Sequence, residues 1–147
     1  MIKLISALLF TAIFCAFPHS VSAQITSDTQ LPPKSFELKI VDKSAPTRSV
    51  SELMQRSGRM NRLIGKYPTN LQTESQRDKV YADWLDMVSD AEFHAKSKPG
   101  DEQVLALQAE LYRQGHNLDV IGSAQRADIA LDRCLELHPD SVACNFS

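Results

Sequence analysis

The chain has 147 residues, of which 43% are hydrophobic and 23% charged, and its formal net charge is −2. This length suits one domain with one core. The near-neutral net charge does not indicate the strongly basic face that nucleic-acid binding usually requires, so we expect no nucleic-acid partner.

Residues 1–23 have the layout of a secretory signal peptide. Lys3 gives a positive start, and residues 4–17 form an uncharged, mostly apolar run that is shorter than the roughly 20 residues of a membrane-spanning helix. Val21-Ser22-Ala23 then places small or modest side chains where signal peptidase needs them. We expect cleavage after Ala23 and a periplasmic or secreted protein without a membrane span. The alternative is an uncleaved N-terminal anchor helix.

Residues 24–48 are expected to form an extended or flexible leader. The segment is polar at its start and carries Pro32-Pro33. Within it, Phe36, Leu38 and Ile40 alternate with Glu37, Lys39 and Val41, a period of two that indicates a short strand or an extended arm. No later segment is an obvious partner strand.

From residue 49 onward the apolar spacing is helical. Ser49 and Glu52 form a capping-box pattern that predicts a first helix over 49–67, ended by Pro68. Thr73 followed by Gln76 predicts the start of a second helix over about 74–97. Its apolar stripe includes Trp84, which predicts a core position, whereas its acidic residues such as Asp83 and Asp86 are expected on a solvated face.

Three more helices are expected before the chain ends. Asp101 is a suitable N-cap for a third helix that ends near Gly115. Ser123 begins a fourth that ends at Pro139, and Asp140 or Ser141 begins a fifth. The sequence therefore predicts an all-α fold of antiparallel helical hairpins over residues 49–147.

The stretch from Glu102 to Asp140 resembles a tetratricopeptide repeat (TPR). In its second helix Ala127, Leu131 and Pro139 match the small, large apolar and terminating positions of that pattern, with Cys134 in place of a small alanine. In its first helix Leu107 matches, whereas Val104 replaces the usual aromatic residue. The longer loop between the helices is similar to SEL1-like repeats. The resemblance implies a fragment of a TPR-like alpha-solenoid; the alternative is an unrelated helical bundle.

The resemblance also implies a function in protein–protein interaction, as a scaffold or adaptor in the cell envelope. The first helix of a repeat lines the concave groove, which would place four residues against a bound peptide or protein: Leu105, Ala109, Tyr112 and Arg113. Tyr112 has a second interpretation, packing on the preceding hairpin. The alternative function is a small exported helical bundle that acts as a ligand-binding or accessory subunit.

The end of the chain resembles an unfinished repeat. Residues 141–147 begin another helix, and solenoids need about three repeats to bury a continuous core. We expect either that the chain is part of a longer protein, the reading we favour, or that this C-terminal edge packs on a partner, self-association included.

No catalytic or cofactor-binding pattern is found. There is no Gly-x-Ser-x-Gly elbow and no phosphate-binding loop, and His94, His116 and His138 are not spaced as a helical metal-binding pair. We therefore expect no enzyme activity, no cofactor and no metal. Cys134 and Cys144 form a disulfide or, alternatively, pack as two small apolar residues in a helical core.

Overall fold

A computed structural model describes residue 31 and residues 34–145 of the chain. Within this part the protein is all-α, with five helices: α1 (Val50–Ile64), α2 (Glu74–Ser97), α3 (Glu102–Asn117), α4 (Ser123–Leu137) and α5 (Val142–Asn145). The expected signal peptide lies outside the described residues. None of the described helices is long and apolar enough to cross a membrane.

The predicted N-caps of the first three helices are confirmed. Ser49 Oγ accepts from the Glu52 amide at 3.3 Å, and the Glu52 carboxylate accepts from the Ser49 amide at 2.8 Å, which completes the capping box. Thr73 and Asp101 accept in the same way from the amides three residues later, both at 3.1 Å. These contacts satisfy amides that have no partner inside the helix.

The first helix is shorter than the spacing predicts. It ends at Ile64 rather than near Tyr67. Gly65 caps it: the Gly65 amide N–H donates a hydrogen bond to the Asn61 carbonyl at 2.9 Å. The apolar side chain of Tyr67 is exposed, so the periodic pattern extends beyond the packed helix.

Helix α3 is the centre of the molecule, because it contacts all four other helices. The main core lies between α1, α2 and α3. Trp84 is completely buried there, as predicted, and its indole N–H donates to the Leu111 carbonyl at 2.7 Å. Gly115 lies directly against the Trp84 ring, so the absence of a side chain at Gly115 allows α3 to approach α2.

The segment before α1 is extended and packs on the core. Phe36, Leu38 and Ile40 pack against the core while Glu37 and Lys39 between them are exposed. An isolated parallel bridge joins Phe36 to Val120, with the Phe36 carbonyl accepting from the Ile121 amide at 2.9 Å. The loop before α4 therefore supplies the pairing partner that no periodic pattern indicated.

Charged side chains fix this segment to α2. Asp90 is completely buried and accepts from Lys43 at 2.7 Å, from Arg48 at 2.8 Å and from the Thr47 amide at 2.9 Å. Asp86 also pairs with Lys43 and Arg48, at 2.7 and 2.6 Å. The expectation that Asp86 lies on a solvated face holds only in part: its side chain is 43% exposed, and it pairs with two cations of the extended segment.

A second, smaller core holds the end of the chain. Cys134 of α4 and Cys144 of α5 form a disulfide and are both buried beside Leu105 and Ala106. Ser141 begins α5: its hydroxyl accepts from the Cys144 amide at 3.1 Å and donates to Glu102. The disulfide thus holds α5 against α3 and α4.

Candidate interaction cleft

A cleft of about 660 Å³ opens between α1, α3 and α5. Its lining comes from these three helices: Met54, Ser57, Gly58, Asn61, Ala106, Leu107, Glu110, Arg113, Val142 and Ala143. Helices α2 and α4 contribute no lining residue. The first, third and fifth helices of the chain thus line the cleft, and the second and fourth do not.

The walls of the cleft are apolar and partly open to solvent. Met54 is 41% exposed on α1, and Val142 is 71% exposed on α5. Leu107 and Ala106 lie deeper, where they are nearly buried. Exposed apolar side chains beside a concavity are typical of surfaces that bind another apolar group.

A hydrogen-bonded polar network forms the base of the cleft at its α1–α3 side. The Glu110 carboxylate accepts from Asn61 at 2.6 Å, from Arg113 at 2.8 Å through two nitrogens and from Gln114 at 2.9 Å. Arg113 also donates to the Gly65 carbonyl at 2.9 Å, which ties it to the end of α1. These charge-assisted bonds hold the base rigid before any ligand arrives.

Gln114 is the buried member of this network. Its side-chain amide nitrogen lies 2.9 Å from both Ser57 Oγ and Asn61 Oδ1, so the donor end of the amide is well satisfied. Its oxygen Oε1 has no hydrogen-bond partner among the described residues. The nitrogen faces four acceptors, so the opposite orientation of the amide would be less favourable.

Of the four residues predicted to line a groove, one lines the cleft and three are buried in the fold. Arg113 lines the cleft, whereas Leu105, Ala109 and Tyr112 are buried and do not. Leu105 packs in the small core with the disulfide. The face of α3 that is open to the cleft therefore begins one residue later, at Ala106, and continues through Leu107 and Glu110 to Arg113. Partner binding by any of these residues stays a prediction.

Tyr112 packs on the preceding helix, which was the second interpretation of this residue. Its hydroxyl donates to the Glu92 carboxylate of α2 at 2.5 Å. Burial, together with that hydrogen bond and the charge of Glu92, raises the pKa of the Tyr112 phenol well above its ordinary value of 10.0. The residue is therefore a buried neutral donor that joins α3 to α2.

Sequence reasoning missed the contributions of α1 and α5. Met54, Gly58 and Asn61 follow one another at spacings of four and three, so they share a face of α1 beside the core stripe. That spacing was available in the sequence, but a glycine and an asparagine carry no hydrophobic signal. Val142 and Ala143 were expected only as the start of an unfinished helix.

Comparison of the chain with protein-family models, with curated proteins and with solved structures finds no match. Within residues 31 and 34–145, no three metal-ligating side chains lie together as a metal site would require. The geometry of the cleft therefore carries the functional argument.

Proposed function

We propose that this chain is an exported protein-interaction module that binds a segment of another protein in the cleft between α1, α3 and α5. The observation that carries the proposal is that alternate helices line one cleft. In a TPR-like stack, the first helix of each hairpin lines the concave surface and the second helix lies behind it. Helices α1, α3 and α5 correspond to first helices, and α2 and α4 to second helices.

The chemistry of the cleft supports a peptide as ligand. Interfaces gain most of their affinity from apolar anchors that enter preformed pockets, surrounded by polar groups that fix orientation. Met54 and Val142 offer apolar walls, while Glu110 and Arg113 form a base that is already ordered. A preformed base reduces the entropy lost on binding.

Two observations support export. The N-terminal 23 residues have the signal-peptide layout, and the Cys134–Cys144 disulfide is of a kind that persists in oxidising compartments. The partner is accordingly expected to be another protein of the cell envelope or the extracellular space.

The test is selection from a random peptide library displayed on phage, with the purified protein as target. Gly58 is suited to blocking the cleft, because it lines the cleft from within α1 and a Cβ atom added there meets nothing within 4 Å. We expect Gly58→Trp to abolish selection. The matched control is Ala82→Trp, at an exposed position of α2 outside the cleft, which should select the same peptides as the wild type.

Equal selection by the wild type and Gly58→Trp would contradict the proposal, because the peptides would then bind elsewhere. Circular dichroism of both variants establishes that they are folded. Failure of the wild type to select any sequence would also contradict it.

The volume of the cleft favours one alternative, a small-molecule ligand of a helical accessory subunit, since such sites have volumes of roughly 300–1,000 Å³. Native mass spectrometry distinguishes a bound small molecule from a bound peptide segment. A small bound mass that is present in the wild type and Ala82→Trp but missing from Gly58→Trp would favour the small ligand.

A further inference from the structure

Helix α1 borders the cleft with an unpaired row of positive charge. Arg56, Arg59 and Arg62 follow one another at intervals of three residues, which places them within an arc of about 120° on the helix surface. Lys66 follows just beyond the end of α1. We call these four residues the basic rim.

The basic rim starts at the edge of the cleft with Arg62, and Arg59 and Arg56 then continue it around the outer face of α1. Arg62 comes four residues after Gly58, so the two side-chain positions are neighbours on adjacent turns, and Gly58 lines the cleft. Arg59 and Arg62 are exposed, and Arg56 is half-buried. A segment that leaves the cleft over α1 therefore passes along these cations.

Among the described residues, no carboxylate pairs with the basic rim. The ion pairs of the structure involve other cations, such as Lys43, Arg48 and Arg113. On α1 itself, Glu52 is occupied by the amide and hydroxyl of Ser49. In the cleft, Glu110 is saturated by Asn61, Arg113 and Gln114. The rim keeps its positive charge although the whole chain carries a net charge of −2.

We propose that the occupant of the cleft is an acidic amphipathic peptide segment, whose apolar side chains enter the cleft while its Asp or Glu residues lie along the basic rim. This proposal rests on the proposed function and names the chemistry of its partner. Charge complementarity selects partners and steers their approach, and apolar anchors supply affinity.

A protein segment fits these observations better than a membrane surface or a nucleic acid. Either polyanion would need a broad basic face, whereas α4 exposes the carboxylates of Asp128, Asp132 and Glu136. The basic rim is instead a narrow row that begins at the edge of an apolar cleft. Such an edge matches a ligand that is itself part acidic and part apolar.

The test uses the same display experiment with peptides of about twelve residues, which extend to about 40 Å and so exceed the length of α1. We expect the wild-type protein to select sequences that combine Asp or Glu with large apolar residues. The double variant Arg59→Glu/Arg62→Glu should bind such a peptide about tenfold more weakly at low ionic strength, and the difference should shrink to about twofold in 1 M salt.

The control for this variant is Lys79→Glu/Lys98→Glu, which changes the net charge by the same amount at exposed positions away from the cleft. It should retain affinity within about twofold of the wild type, since exposed charges far from the cleft are screened by salt. Selection by the charge-reversed protein itself should shift from acidic to basic sequences.

The outcomes separate this inference from the proposed function. If the selected peptides require the open cleft but are not enriched in Asp or Glu, the acidic partner is contradicted and the proposed interaction module is not. Peptides insensitive to Gly58→Trp, or no peptides at all, would overturn both. Sedimentation with phosphatidylglycerol vesicles that depends on Arg59 and Arg62 but not on Gly58 would assign the rim to a membrane surface instead.

Discussion

Replacement of Gly115 by alanine tests the close approach of α3 to α2 in the core. A Cβ atom at this position would lie 2.3 Å from Trp84 Cζ2 and 2.7 Å from Ser123 Oγ. Carbon atoms pack at about 3.5–4.0 Å, so either α3 moves away from α2 or the indole ring moves. A displaced ring would also weaken the 2.7 Å hydrogen bond from Trp84 to the Leu111 carbonyl.

The expected loss follows from three contributions. Overpacking of a core costs about 1–3 kcal/mol, and weakening of a buried hydrogen bond adds about 1 kcal/mol. Alanine recovers about 1 kcal/mol over glycine inside a helix. We expect Gly115→Ala to lower the free energy of unfolding by about 2 kcal/mol, and the melting temperature by about 8 °C for a domain of this size.

Gly58→Ala is the matched control, because it makes the same chemical change inside a helix where the added Cβ meets nothing within 4 Å. It should raise the free energy of unfolding by about 0.5–1 kcal/mol. Urea unfolding followed by circular dichroism measures both variants. The fluorescence of Trp84, the single tryptophan of the chain, reports the perturbed contact directly. Equal stabilisation by both substitutions would refute the close approach of α3 to Trp84.

Four further predictions concern the polar contacts of the core and the start of the chain. Asp90→Asn should destabilise the protein by about 3 kcal/mol in urea unfolding, because Lys43 and Arg48 lose a buried partner; a change below about 1 kcal/mol would contradict this. Burial acts to raise the pKa of the Asp90 carboxyl, but the bonds from Lys43, Thr47 and Arg48 prevail and hold it below its ordinary value of 3.8. Its contribution to stability is therefore full above that pH and is lost as the pH falls below it, which melting curves at a series of pH values would show. Tyr112→Phe should cost about 1–2 kcal/mol through the lost bond to Glu92, and no loss would contradict that bond. Mass spectrometry of the exported protein should find Gln24 at its N-terminus, and a retained Met1 would contradict cleavage.

The starts of the first three helices could be predicted from the sequence, because each capping pattern involves only a few adjacent residues. Ser49, Thr73 and Asp101 begin their helices through bonds to amides three residues away, so their effect can be found in the sequence itself. The alternation around Phe36 indicated a short strand or an extended arm, and the structure adds that its apolar side packs on the core.

The open face of α3 could not be predicted in the same way. A surface helix has one apolar stripe, and its period identifies the buried side. Helix α3 is buried on several sides at once, since it contacts every other helix, and ten of its sixteen residues are buried. A helix that is buried on several sides has no single buried stripe, so the choice between Leu105 and Ala106 as the residue that faces the cleft depends on the packing of α1 and α5.

The disulfide offers a test of the cleft, because it holds the C-terminal helix α5 that forms one wall of the cleft. Helix α5 has only four residues, too few to be stable alone, and it is held by the Cys134–Cys144 bond and by Ser141. Because α5 supplies Val142 to the cleft, Cys134→Ser/Cys144→Ser should release that wall.

The cost of releasing α5 should be modest for the fold but large for binding. A disulfide that closes a loop of ten residues stabilises by about 2–3 kcal/mol, whereas the main core between α1, α2 and α3 contains no residue of α5. We expect the double serine variant to keep most of its helical circular dichroism and to lose affinity for peptides selected by the wild type. Unchanged affinity would mean that α5 is not a wall of the binding site and would restrict the site to α1 and α3.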